Sequence, residues 1–340
     1  MITKMFEADN HSRDANITTS ASIEQIELVK YICKTEYSLE FDPISKLALV
    51  EGYNVNSVNF KVDKFFLKIL TEKQFSDRVN HFPKLVEEMV RHGVPGVEFI
   101  KNRSGDYVTK ILFNGKIFYS TLQPFLNGNF FTGSKRSLLN MIEIIQRIED
   151  AFCNIKPETC HSLPYVSFNP KNRLNKVNEA YIEKTKKNGH DQYDNLYYKI
   201  SFSLLELCNF YESIETNLDK QHIRHFDLHP HNLLFVGDDV VAVLDLDNIA
   251  VVDKRIATGF NLYKLGRKAI SNNMITLLEF KDIIKKHFKF INLKNFALIE
   301  LLHRFLLVLE NHYHEKSNIR DSDFLKYVTS LDEINVMFSE

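Results

Sequence analysis

The stretch His225-Phe226-Asp227-Leu228-His229-Pro230-His231-Asn232 is followed, two short apolar runs later, by Leu244-Asp245-Leu246-Asp247. An acid followed five positions later by an amide puts a carboxylate and an amide oxygen on opposite sides of a tight loop. One can take a proton from a hydroxyl while the other holds a hard cation. Leu233-Leu234-Phe235-Val236 and Val240-Val241-Ala242-Val243-Leu244 read as strands around the turn Gly237-Asp238-Asp239, because apolar β-formers bounded by turn residues suit a ladder. A hairpin carries the chain back to its start. Asp245 is thereby returned beside Asn232, and Asp227, Asn232 and Asp245 form a set suited to phosphoryl transfer, a reaction that asks a protein for positioning and charge rather than covalent chemistry.

These motifs, HFDLHPHN and then LDLDN, resemble the catalytic and metal-binding loops of the aminoglycoside phosphotransferase/choline kinase/homoserine kinase superfamily, whose members share the protein-kinase fold. The resemblance implies Asp227 as catalytic base, Asn232 and Asp245 as metal ligands, and ATP and magnesium as cofactors. Other readings stay open on the residues alone. An Asp and an Asn in a polar loop often only turn the backbone. His222, His225, His229 and His231 invite a zinc-hydrolase reading, though no HExxH helix or second ligand cluster accompanies them. By the resemblance His225 and His229 brace the loop, whereas His231 replaces a small residue.

A chain of 340 residues that is 44% apolar accommodates two lobes sharing a cleft. Its net charge of -1 lacks the basic excess that a nucleic-acid or anionic-membrane partner favours. Cys33, Cys153, Cys160 and Cys208 are scattered without a CxxC pair, which predicts reduced thiols and a cytoplasmic location. Residues 1–20 carry Glu7, Asp9 and Asp14, unlike a secretory signal, and read as a mobile tail. The apolar run Phe296 to Leu309 is broken by Glu300, His303 and Arg304, so it predicts a buried core helix rather than a membrane span.

Along the chain, Ile23, Ile26, Val29, Ile32 and Cys33 behind a Ser22 to Gln25 capping box predict a helix. Leu47 to Val50, Val58 to Val62 and Phe65 to Leu70 predict three strands, the last two joined at Asp63-Lys64. Lys68 lies on the third, where a kinase places the lysine that neutralises nucleotide phosphates. The linker Glu51 to Ser57 has no GxGxxG; it resembles the looser phosphate loop of the small-molecule kinases, with Gly52, Asn56 and Ser57 lining the nucleotide. Phe75 to His92 predicts a helix stopped by Gly93 and Pro95. Glu87, Glu88 and Asp77 are its acidic candidates for pairing with Lys68. Tyr107 to Phe113 and Lys116 to Leu122 predict a hairpin turning at Asn114-Gly115. The following Gln123-Pro124-Phe125-Leu126-Asn127-Gly128 resembles the family hinge, so Gln123 and Phe125 join the nucleotide-binding set.

Helical patterns then run from Ser137 to Phe152, Tyr197 to Leu218, Thr258 to Ser271, Ile275 to Phe288, Leu293 to Tyr313 and Ser322 to Phe338. Asn169 to Asp194, rich in Lys and Asn, reads as a solvated connection or exposed helix. The prediction is an α+β, bilobal protein-kinase-like fold. Its tail is 1–20, its small antiparallel β-rich nucleotide lobe 21–122 and its larger, mainly helical lobe 123–340. The predicted activity is transfer of the ATP γ-phosphoryl group to a hydroxyl of a small molecule such as an amino alcohol, aminoglycoside, aminocyclitol or sugar. Asp247, Glu300, Glu310 and Asp321 are acids available to a cationic acceptor. A noncatalytic kinase-like binding protein is the alternative and a zinc hydrolase a distant third; no DFG or APE segment marks a protein kinase.

Overall fold

The computed structural model describes residues 17–18, 21–50, 57–73, 75, 77–153, 155, 169–218, 223–225, 228–245, 249–288, 292–313 and 321–339. Strands β1 (Ile17–Thr18), β2 (Leu47–Val50), β3 (Val58–Val62), β4 (Phe65–Thr71), β5 (Thr109–Phe113) and β6 (Lys116–Pro124) form one antiparallel sheet in the order β1-β2-β3-β4-β6-β5. The turns follow from their residues. Asp63 takes φ 54° between β3 and β4, and Asn114 and Gly115 take φ 48° and 74° between β5 and β6, the left-handed pair that a two-residue hairpin demands. Ile17 and Thr18, inside the stretch read as a tail, pair with Val50 and Leu49 at the sheet edge.

Helix α1 (Ile23–Tyr37) starts at the predicted capping box, with both reciprocal bonds between Ser22 and Gln25 made. It covers one sheet face with Leu28, Val29, Ile32 and Cys33, which pack among Phe60, Val62, Leu67, Ile69, Ile111 and Leu122. Ile23 departs from the predicted apolar face and is 78% exposed. At about 100° per residue it stands roughly 120° around the helix from Val29. After the short α2 (Pro43–Lys46) comes α3 (Phe82–Arg91), which begins later than predicted. Pro83 occupies its first turn, the only stretch of a helix where a missing N–H and the ring's clash with a preceding carbonyl do no harm. Residues Asp77–His81 form a 3-10 turn before it.

The helical part comprises α4 (Lys135–Cys153), α5 (Pro170–Asn188), α6 (Gln192–Ile214), α7 (Lys254–Ser271), α8 (Leu277–His287), α9 (Leu293–Tyr313) and α10 (Asp321–Met337). The lysine-rich stretch is therefore a helix, α5, which buries Leu174, Val177 and Ala180. A second, larger apolar core unites these helices with α3 and with Leu70 of β4. The architecture is the bilobal α+β arrangement of the sequence reading. Of the cysteines, Cys33 and Cys208 are buried and burial pushes both thiols up to about 12, while Cys160 lies outside the described residues. Among the described residues no helix is long and apolar enough to cross a membrane.

His303 on α9 is held near pKa 4 by burial, with Arg173 and Arg304 adding repulsion. The unfolded chain therefore takes up a proton from about pH 6.5 downward while the folded chain stays neutral until about pH 4. Stability conferred by the neutral ring is present above the unfolded value and is lost as pH falls through this window, by at most about 1.4 kcal/mol per pH unit. His303→Gln removes this contribution, so melting temperatures measured between pH 4 and 7 should fall less steeply for the variant than for the wild type.

Candidate active site

Four short strands frame the loops that carry the predicted chemistry. Strand β8 (Ile223–His225) pairs antiparallel with β11 (Ile249–Val251), His225 opposite Ile249 and Ile223 opposite Val251. Inside that pair, β9 (Leu233–Val236) and β10 (Asp239–Val243) form the predicted hairpin. Gly237 supplies φ 63° at its turn. The extra residue between Val240 and Ala242 is a bulge that bends the strand. The chain thus leaves β8, crosses to β9, returns along β10 and re-enters β11. Residues 228–232 lead directly into β9, and residues 244 and 245 follow directly on β10.

Bonds between the loops fix their mutual position. The Leu244 amide donates to the Asn232 carbonyl at 2.8 Å, and the Asn232 amide donates to His229 O at 2.9 Å. Asn232 is only 5% exposed. Asp245, next to Leu244, takes φ 57°, a left-handed conformation that a non-glycine residue adopts at a cost and that recurs where a side chain is held for function. His225 Nε2 lies 3.2 Å from Leu244 O, so the ring must donate from Nε2. The His231 amide donates to His229 Nδ1 at 3.2 Å, which places any neutral-ring proton of His229 on Nε2. The His231 ring meets the edges of His229 and Phe130, each with centroids 5.5 Å apart. These histidines brace the loop, and among the described residues no group of three His, Cys, Asp or Glu is arranged to hold a metal. Asp227, Asp247 and His222 lie outside the described residues.

The surrounding elements hold this frame in place. Arg224 of β8, with 2% side-chain exposure, pairs with Glu149 of α4 at 2.9 Å. Asn140 of α4 donates to Asp238 O at 2.9 Å, and Ser134 binds the Asp238 carboxylate. Strand β7 (Asn129–Phe130), not foreseen from the sequence, pairs with β9. Gly128 precedes it so closely that a Cβ there would lie 2.7 Å from the Leu234 side chain and 2.8 Å from Phe235 O. Buried Asn261 of α7 accepts from the Leu228 amide at 3.0 Å and donates to His225 O at 3.2 Å. Its one signal in the sequence is a polar residue inside the apolar run Phe260-Asn261-Leu262.

The nucleotide-binding candidates are distributed as follows. Half-buried Lys68 sits on β4 opposite Thr121 of β6. Because side chains alternate along a strand, it shares a face with Leu70, which joins the helical core, while Leu67 and Ile69 face α1. On α3, Glu87 accepts from the Tyr107 hydroxyl at 2.7 Å, and Glu88 accepts from Arg91 at 2.6 Å. The side chain of Asp77 lies outside the described residues. Gln123 Nε2 donates to Val97 O at 2.6 Å. The Phe125 amide donates to Lys64 O at 2.8 Å, and the Lys61 ammonium lies 4.3 Å from the Phe125 ring centre. The Ser57 hydroxyl bonds Asn59 Oδ1 at 3.1 Å, while Gly52 and Asn56 lie outside the described residues.

No protein-family model and no curated protein sequence matches this chain, but solved structures do. A spectinomycin phosphotransferase in complex with ADP and spectinomycin superposes with a TM-score of 0.62 at 12% identity, over 92% of this chain and 97% of that one. The chain has the fold of the aminoglycoside phosphotransferases. An amicoumacin kinase in complex with AMP-PNP and Ca2+ matches at a TM-score of 0.59 and 11% identity, covering 91% and 92% of the two chains. An aminoglycoside phosphotransferase from Alicyclobacillus acidocaldarius matches at 0.57 and 11% over 84% and 88%. In this fold Glu149 holds the strand that feeds the first loop. Glu149→Ala, which removes one carboxylate partner of the buried Arg224 guanidinium, should lower the unfolding free energy by about 1 to 3 kcal/mol, read from chemical denaturation.

Proposed function

We propose that this protein is a small-molecule kinase that transfers the ATP γ-phosphoryl group to a hydroxyl. The observation that carries the reading is the frame of paired strands, which ties Asn232 to Leu244 and so brings Asn232 and Asp245 side by side. An amide oxygen and a carboxylate, without a thiol or imidazole, are the donor set of a hard divalent cation. Magnesium bound there would neutralise nucleotide phosphate charge. Asp227, in the loop between β8 and β9, would accept the proton of the attacking hydroxyl. Lys68 would meet the phosphates, and Gly52, Asn56 and Ser57 would cover them. The backbone after β6, from Gln123 and Phe125 onward, would receive the adenine. The solved structures of this fold that hold nucleotides support the reading, as do the HFDLHPHN and LDLDN motifs.

The acceptor is proposed to be a small compound, in a protein that acts in the cytoplasm without nucleic acid or membrane. Charge pairing bears on its class. Glu300 is bonded by Arg304, and Glu310 by Arg173 at 3.2 Å, so neither carboxylate is offered to a cation. Asp247 and the side chain of Asp321 lie outside the described residues. Of the four acids read as available to a cationic acceptor, Glu300 and Glu310 are thus already engaged in ion pairs. Turnover measured across amino alcohols, aminocyclitols, sugars and nucleosides tests the proposal, and exclusive phosphorylation of a folded protein would overturn it.

The roles separate by mutation. Asp227→Ala should reduce transfer about 10²- to 10⁴-fold while magnesium-ATP still binds, because the carboxylate serves the acceptor hydroxyl. Asn232→Ala and Asp245→Ala should weaken magnesium-ATP affinity together with rate, measured by calorimetric titration at several magnesium concentrations. Wild-type turnover in Asp227→Ala would remove that residue from the mechanism.

A further inference from the structure

Helix α6 is apolar on almost every side, the pattern of a helix that is covered all round. Tyr193, Tyr197, Leu204, Cys208 and Tyr211 form its buried face, and the Tyr197 ring meets Tyr181 of α5 and Tyr313 of α9 with centroids 5.1 and 5.5 Å apart. Tyr198, Phe202 and Leu205 are left outside, 73%, 69% and 40% exposed. Steps of four and then three residues stack them in one stripe. Among the described residues no other element exposes three large apolar side chains. Asn195 and Asn209, each seven positions from Phe202 and both exposed, close the stripe with polar groups at equal distances from its centre. Lys199 and Glu206, exposed as well, run along one flank, since each follows a stripe residue by one position and seven residues return to the same side within about 20°. Neither forms an ion pair with a described residue.

We propose that α6 is a homodimer interface, its stripe packed on the same stripe of a second copy of this chain, with the two helices antiparallel about a two-fold axis at Phe202. Symmetry and charge select a second copy as the occupant. A stripe bounded alike at both ends is self-complementary under a two-fold, and in an antiparallel pair equal flanks face each other. Lys199 of one copy then stands about 1.5 Å along the axis from Glu206 of the other, one residue rise, and the two-fold repeats the contact. A parallel pair would set the same two side chains against Ser201 and Cys208, which are uncharged. About four turns of helix bury less than the roughly 800 Å² per partner of a standard interface, so the association is reversible and depends on concentration. Such an interface is independent of the kinase reading.

The test is sedimentation equilibrium of the full chain from about 1 to 200 μM, where a dimer of micromolar Kd should appear. Phe202→Glu puts two like charges at the two-fold and should abolish the dimer, while the melting temperature of the monomer stays unchanged because the side chain is exposed. Lys199→Glu and Glu206→Lys should each raise Kd roughly tenfold, since either reversal turns two attractive contacts into two repulsive ones. The double variant, and an equimolar mixture of the two single variants, should return to within about threefold of the wild-type Kd. Only the antiparallel pairing gives that recovery, and these variants answer the question even if Phe202→Glu fails to fold. A wild-type chain that stays monomeric throughout the range overturns the inference. A dimer that Phe202→Glu leaves intact also overturns it, because another surface then holds the copies together. Weakening by both reversals without recovery in the double variant does the same.

Discussion

A loop that is to carry chemistry must satisfy its own backbone without using up its side chains, because an unpaired buried N–H or C=O is costly. Here the solution is a pair of nested ladders. β8 with β11 and β9 with β10 hold the ends of both loops, and the loop backbones are then bonded to each other and to Asn261. Histidine rings, which could ligate metal in another setting, serve as struts between loop backbones. Everything around the frame depends on this arrangement. The buried Arg224 and Glu149 pair, the α4 contacts to the hairpin turn and the close approach of Gly128 to β9 all locate the same four strands.

The sheet contributes through simple alternation. Leu67 and Ile69 belong to the core beneath α1, whereas Leu70 belongs to the core of the helices. One strand therefore joins two cores, and Lys68 lies on the face that looks toward the second. Had β4 slipped by one residue, that lysine would enter the α1 core and the whole apolar set would reverse. Asp63, in left-handed conformation at the turn into β4, and the seven-residue register with β6 prevent it.

Identity of 11% and 12% to solved structures that share the whole architecture is consistent with a fold set by pattern rather than by particular side chains. Cores tolerate wide substitution when volume and periodicity are kept. Glu300 and Glu310 are each joined to an arginine on a neighbouring turn or helix, and such pairing converts a candidate recognition surface into an internal contact.

Much was legible in the sequence because the signals were local. The capping box of α1, the Asn114-Gly115 turn, the hairpin after Asn232 and the 3.6-residue periodicity of α4 and α9 each depend on neighbours a few positions apart. The apolar pattern runs back to Phe75, but α3 starts only at Phe82 because Pro83 is tolerated in the first turn alone. Strands β7, β8 and β11 carry no local signal, being two or three residues long and stable only through partners distant in the chain. The same holds within the site. Motif spacing together with the resemblance to the small-molecule kinases nominated Asp227, Asn232, Asp245 and Lys68 from the sequence. Only the tertiary structure could decide that Asn261 bridges His225 and Leu228, that Glu149 meets Arg224, and that Glu310 meets Arg173, because these bonds form between groups that folding brings together from distant parts of the chain and no local periodicity encodes them.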